Sequence, residues 1–144
     1  MTLGPFVVDT NVFVSGLITG DVDAPTARVV DGMLHRKFDF LLSVELLAEY
    51  RSVLLRPKIA ARHGLNESEI DILLTEVAAS AIVREPAIAD EKAPDRDDQH
   101  LWSLLACHDG SVLVTGDGAL LESPLPGRSA LSPAAFVELL VKGS

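Results

Sequence analysis

Two short apolar runs in this chain end directly in acids, and that constrains its fold more than any other feature. Phe6-Val7-Val8 stops at Asp9, and Val114-Thr115-Gly116 runs into Asp117. Short runs of this kind read as buried strands, while apolar residues three and four apart mark helices between them. Strands are expected at 6–8, 38–42, 81–83 and 111–115. Strands alternating with helices build a parallel sheet covered on both faces. Ligand sites in such sheets lie at the carboxyl ends of the strands. Asp9 and Asp117 therefore fall at one edge of an α/β sheet of four to five strands.

The helices expected between the strands carry their own signals. One spans about 24–35 and ends before Lys37. Ser43 caps a second, with Leu46, Leu47, Tyr50, Val53 and Leu54 on one face and Pro57 as its stop. Asn66-Glu67-Ser68-Glu69 opens a third, carrying Ile70, Leu73, Leu74, Val77 and Ala78 at helical spacing. A fourth covers 97–107 and is apolar after its polar first turn. Ser132-Pro133 caps the last, which runs to Leu140 with Pro at its first position. The segment 85–94, rich in Pro, Ala and acids, reads as a loop.

The chain has 144 residues, 48% of them hydrophobic. That is enough for one domain, 1–144, hiding roughly two-thirds of the surface its unfolded chain exposes. The single cysteine, Cys107, excludes an intramolecular disulfide and a cysteine zinc cluster. It suits a reducing compartment. Met1 to Pro5 lacks the basic start of a signal peptide, and no apolar run reaches the ~20 residues that span a bilayer. A cytoplasmic protein with no membrane partner is expected. The net charge of −9 argues against broad adhesion to nucleic acid. It does not exclude chemistry on nucleic acid, since carboxylates that hold cations count as bare negative charges.

Four acids stand out, each with a plainer alternative. Asp9 is a carboxylate just past a buried strand, held by rigid backbone as a metal ligand must be. It is equally suited to cap a following helix. Glu49 falls at the border of its helix's apolar stripe, so it can lean inward where Glu45 points to solvent. It is otherwise an ordinary flanking charge beside Arg51 or Arg56. Asp98 lies in Asp95-Arg96-Asp97-Asp98. Acids suit a first helical turn by dipole and capping, but three in four residues exceed what capping needs. Leu101, Trp102 and Leu105 share the face of Asp98, and Asp97 is the alternative ligand. Asp117 is a second strand-end acid, or a turn residue between glycines. Thr115 can add a hydroxyl. Carboxylates gathered at one edge repel one another. A hard divalent ion, Mg²⁺ or Mn²⁺, resolves that better than zinc, because no His or Cys is read as joining the acids.

These residues resemble those of a PIN domain. Val7-Val8-Asp9-Thr10-Asn11-Val12-Phe13-Val14-Ser15 resembles that family's first strand and Asp-Thr-Asn motif. Ser43-Val44-Glu45-Leu46-Leu47-Ala48-Glu49-Tyr50 is similar to the helix carrying its Glu. Asp95-Arg96-Asp97-Asp98-Gln99-His100-Leu101, Val114-Thr115-Gly116-Asp117 and Leu131-Ser132-Pro133-Ala134-Ala135-Phe136 resemble later motifs of one branch. That branch is described as the toxin components of toxin–antitoxin pairs. The resemblance covers essentially the whole chain. It implies a five-stranded parallel sheet and metal-dependent hydrolysis of RNA, leaving 5′-phosphate and 3′-hydroxyl ends. It also implies frequent homodimers and a small antitoxin protein as inhibitor. Carried over by position, Asp9, Glu49, Asp98 and Asp117 take the acidic, metal-holding roles, and Asn11 and Thr115 the supporting ones. Gly118 and Ala119 stand where many relatives carry a further acid, which puts a second metal in question.

The stretch 51–63 holds Arg51, Arg56, Lys58 and Arg62 and no acid. It is the best candidate for RNA phosphate contacts, although cations near a helix C-terminus also complement the dipole. The four histidines lack the spacing of a metal pair: His100 and His108 are eight apart, and His35 and His63 sit at expected helix ends. Two rivals remain. A magnesium-dependent phosphatase would need a second acid two residues after Asp9, where Asn11 stands. A binding protein of the same fold would not cut RNA, and its acidic segment 85–98 would dock a basic partner.

Overall fold

The computed structural model describes residues 4–85, 92–93 and 95–142. It is a mixed α/β structure. Strand β1 (Phe6–Val8) leads into helix α1 (Thr10–Ile18) and α2 (Pro25–Leu34), followed by β2 (Leu41–Leu42) and α3 (Val44–Leu54). Helices α4 (Pro57–His63) and α5 (Glu67–Ser80) precede β3 (Ile82–Val83). A 3-10 turn (Arg96–Asp98) opens α6 (Gln99–Leu105), then come β4 (Val112–Val114), α7 (Gly118–Glu122), β5 (Ser129–Leu131) and α8 (Pro133–Lys142).

All strand pairs are parallel. One sheet has the order β1-β4-β5, with Phe6 beside Val112 and Val112 beside Ser129, and β2 pairs with β3. A single parallel bridge between Phe6 and Phe40 sets the two sheets side by side, with Phe6 N–H donating to the Asp39 carbonyl at 2.9 Å. The order across both is β3-β2-β1-β4-β5. Successive residues of β1 and β4 point to opposite faces, yet every one is buried. Both faces are therefore covered. The outer strands are less buried, and Ser129 and Val83 are exposed.

Several elements depart from expectation. The strand at 38–42 is regular only at Leu41–Leu42, because Phe40 makes just the one bridge. Pro57 does more than stop α3. That helix closes at Leu54, and Pro57 occupies the first turn of α4, where its missing N–H costs nothing. The helix at 97–107 divides into the 3-10 turn and α6. Helix α7 was not expected; α1 is the following helix that the capping alternative for Asp9 left open, and β5 supplies the fifth of the four to five strands expected. The loop reading of 85–94 falls largely on residues outside those described. At the start of α5, Asn66 and Glu69 form the reciprocal capping box that their spacing suggests.

One contiguous core joins the sheet to the helices. Phe136 packs edge-on against Phe6 and Phe38, with ring centroids 4.6 and 4.8 Å away. Across the core, Phe13 of α1 stacks on Tyr50 of α3 at 4.3 Å. The Tyr50 hydroxyl, wholly buried, donates to the Val8 carbonyl at the end of β1. Burial, and then the charges of Asp9 and Glu49, push the Tyr50 pKa well above the usual value, so it serves as a neutral donor. These contacts lock α1, α3 and the end of β1 together. No helix among the described residues is long and apolar enough to cross a membrane.

Candidate active site

The acidic edge begins where β1 ends. Asp9 continues the ladder through its N–H to the Val114 carbonyl, 2.9 Å away, and occupies the backbone N-cap position of α1. Its side chain makes no capping bond. Instead Asp9 Oδ2 accepts from the Thr115 hydroxyl at 2.7 Å, in a buried contact between the ends of two adjacent strands. Thr115 also accepts from the Asp117 N–H at 3.0 Å. One hydroxyl thus joins both strand-end acids. Asp117 spends its Oδ1 on the Ala119 N–H, so it caps α7 while remaining at this edge.

Glu49 reaches the edge from α3. It is half-buried while Glu45 is exposed, as the helical phase predicts. Glu49 pairs with neither Arg51 nor Arg56. The Thr10 hydroxyl donates to its Oε1, and His100 Nε2 lies 2.8 Å from its Oε2. Asp98 approaches from the turn before α6. It is half-buried, whereas Asp97 is exposed and gives its N–H to Asp95 Oδ1. The structure thus brings Asp98, rather than Asp97, toward the other acids.

The electrostatics record that convergence. Burial, then the charges of Asp9, Asp95, Asp117 and Glu49, push the Asp98 carboxyl up to about 6. Asp9 is also raised, chiefly by burial and further by Glu49 and Asp117, against the opposing hydrogen bonds from Thr115 and Thr10. Among the described residues, no Lys or Arg ion pair reaches Asp9, Asp98 or Asp117. The donor set is all oxygen apart from one imidazole, which suits Mg²⁺ or Mn²⁺. As they stand, no group of three or more His, Cys, Asp or Glu among the described residues is arranged to hold a metal ion.

The other candidates fall outside this cluster or play different parts. Asn11 is exposed on the first turn of α1, and Thr10, not Asn11, contacts Glu49. Arg51 is bound to α5 through Glu67 at 2.6 Å and Asp71 at 2.8 Å. Arg56, at the cap before α4, and Lys58 and Arg62 within it are exposed, and α4 packs on α1 and α3. Sequence reasoning passed over Thr10 and His100. Thr10 carried no role of its own beyond the Asp-Thr-Asn motif, and His100 was set aside because no second histidine stands at metal spacing. No local signal marks His100, since its partner Glu49 is 51 residues away.

A parallel α/β fold with one buried and three half-buried carboxylates at the carboxyl edge of its strands defines the class of acidic-edged α/β domains. The chain belongs to the PIN domain family, whose pattern matches residues 5–119. PIN domains are generally nucleases, and those nucleases generally use divalent metals. Strand β5 and helix α8 lie beyond the matched segment. The chain is also similar to an uncharacterized protein of Methanocaldococcus jannaschii, 28% identical over 115 residues, which are 80% of this chain and 72% of that one.

Proposed function

We propose that this protein is a Mg²⁺- or Mn²⁺-dependent endoribonuclease that leaves 5′-phosphate and 3′-hydroxyl ends, and that it is the toxin component of a toxin–antitoxin pair, inhibited by a small antitoxin protein. The observation that carries the enzymatic part is the gathering of Asp9, Glu49, Asp98 and Asp117 at the carboxyl edge of the sheet, where the Thr115 hydroxyl joins Asp9 to Asp117. Burial and the charges of Asp9, Asp95, Asp117 and Glu49 push the Asp98 carboxyl up in keeping with that crowding. No Lys or Arg among the described residues offsets Asp9, Asp98 or Asp117 by an ion pair. A divalent cation offsets such crowding.

Asp9, Glu49, Asp98 and Asp117 would hold the ion. When bound, it would supply Lewis-acid activation of water and charge neutralisation at the scissile phosphate. Thr115 fixes the orientation of Asp9 relative to Asp117. Arg56 at the cap of α4, with Lys58 and Arg62 on that helix, all exposed beside α1 and α3, are the candidates for phosphate contacts. Arg51 contributes mainly to the junction of α3 with α5. The toxin role rests on the branch resemblance alone.

The test compares wild type with Asp9→Asn on a mixed RNA pool in Mn²⁺, Mg²⁺ or EDTA, after circular dichroism establishes that both fold. Cleavage that needs metal in the wild type and drops to background in the variant is expected. Equal cleavage by both proteins, or none with any metal, refutes the proposal.

A further inference from the structure

We propose that His100, together with Thr10, is a positioning residue that clamps the Glu49 carboxylate at the acidic edge, each holding one of its oxygens. Glu49 sits at the border of the α3 stripe, with a side chain 37% exposed, so packing alone does not fix its head. Its two partners arrive from elements distant in sequence, 39 residues before it and 51 after it. Both are themselves fixed. Thr10 is buried in the first turn of α1, whose Phe13 stacks on Tyr50, the neighbour of Glu49. The side chain of His100 is only 12% exposed, and the next two residues of α6, Leu101 and Trp102, are in the core.

An ionised carboxylate only accepts, so the imidazole donates from Nε2. His100 Nδ1 is buried and has no hydrogen-bond partner among the described residues. The tautomer with its hydrogen on Nε2 leaves a bare lone pair there rather than a stranded N–H. Among the described residues, Glu49 is thus the one hydrogen-bond partner of the ring. Each carboxylate oxygen offers about two lone pairs. One donor per oxygen therefore orients the head and still leaves a lone pair on each oxygen for a cation. Partners of this kind hold ligands in place, and losing one typically weakens metal binding about 10–100-fold.

The clamp rests on the cation-dependent function proposed above, so its test measures metal binding directly. Mn²⁺ is titrated by calorimetry into wild type, His100→Phe, His100→Gln, Thr10→Val and Thr10→Ser, and RNA cleavage is followed at limiting and saturating Mn²⁺. His100→Phe and Thr10→Val should weaken Mn²⁺ binding about 10–100-fold. His100→Gln and Thr10→Ser each keep a donor and should recover most of the affinity. KM for RNA should not change, because neither residue is assigned to substrate. Wild-type affinity in both His100→Phe and Thr10→Val overturns the clamp and leaves the nuclease proposal standing. Failure of the wild type to bind Mn²⁺ overturns both. If one donor-free variant does not fold, the other donor carries the test, since each holds a different oxygen.

Discussion

Thr115 shows how much one hydroxyl organises here. It donates to Asp9 and accepts from the Asp117 backbone, so the alternative of Asp9 as a side-chain helix cap loses to a contact across two strands. Asp98 makes the opposite case, a carboxyl with no Lys or Arg ion pair among the described residues. Its folded pKa of about 6 lies above the ordinary aspartate value of 3.8. The fold therefore favours the protonated form. That contribution to stability is complete below about pH 3.8 and is lost as pH rises through about 6. Asp9 shifts in the same direction. Metal-free protein should lose stability across this window, and Asp98→Asn should flatten the loss. Urea denaturation in EDTA at stepped pH measures it, and a variant curve as steep as the wild type's would refute the assignment. Asp9 and Asp117 were legible as strand-end acids because each adjoins its own strand. The contacts of Thr10 and His100 with Glu49 were not, because nothing local joins residues 39 and 51 positions apart.

At the scale of elements, α1 and α2 approach closely. Gly16 of α1 lies against α2, and a Cβ there would overlap the Thr26 carbonyl oxygen and Val30 Cγ2. In an exposed helix, Gly→Ala gains up to about 1 kcal/mol of helix propensity. Overpacking typically costs about 1–3 kcal/mol, and the Thr26 carbonyl is backbone that moves only with its helix. Packing should win. Gly16→Ala should therefore lose about 1–2 kcal/mol of stability, read as a lower urea midpoint at unchanged slope. A variant more stable than wild type would mean that α1 and α2 separate at little cost. Helix α3 was readable from its cap and stripe. Helix α4 was not, because all its residues are at least partly exposed and it presents no apolar periodicity.

At the scale of the whole molecule, an excess of acid is combined with a small basic helix. With a net charge of −9, the protein cannot hold RNA by a broad positive surface, so contacts should be few. If Arg56, Lys58 and Arg62 each neutralise one phosphate of single-stranded RNA, the logarithm of affinity should fall against log salt with a slope of about −2. Measured in the cleavage-deficient Asp9→Asn background, replacing all three by Gln should bring that slope close to zero. An unchanged slope would move the RNA contacts elsewhere. The sheet order is also a property of this scale. β5, Ser129–Leu131, carries no continuous apolar run because it lies at the edge, with Ser129 exposed.

By itself, the sequence determined the parallel α/β class, the buried central strands, the caps at Ser43 and Asn66, and the two acids that terminate β1 and β4. These follow from periodicity, chain direction and local hydrogen bonding, all of which act over a few residues. Only the tertiary structure decided that Asp98 rather than Asp97 faces the other acids, that Arg51 is held by α5, and that Glu49 is gripped by Thr10 and His100. Those outcomes depend on how helices rotate and pack over the sheet. Burial and Coulomb interactions between distant residues set that packing, and they acquire values only once the chain has folded.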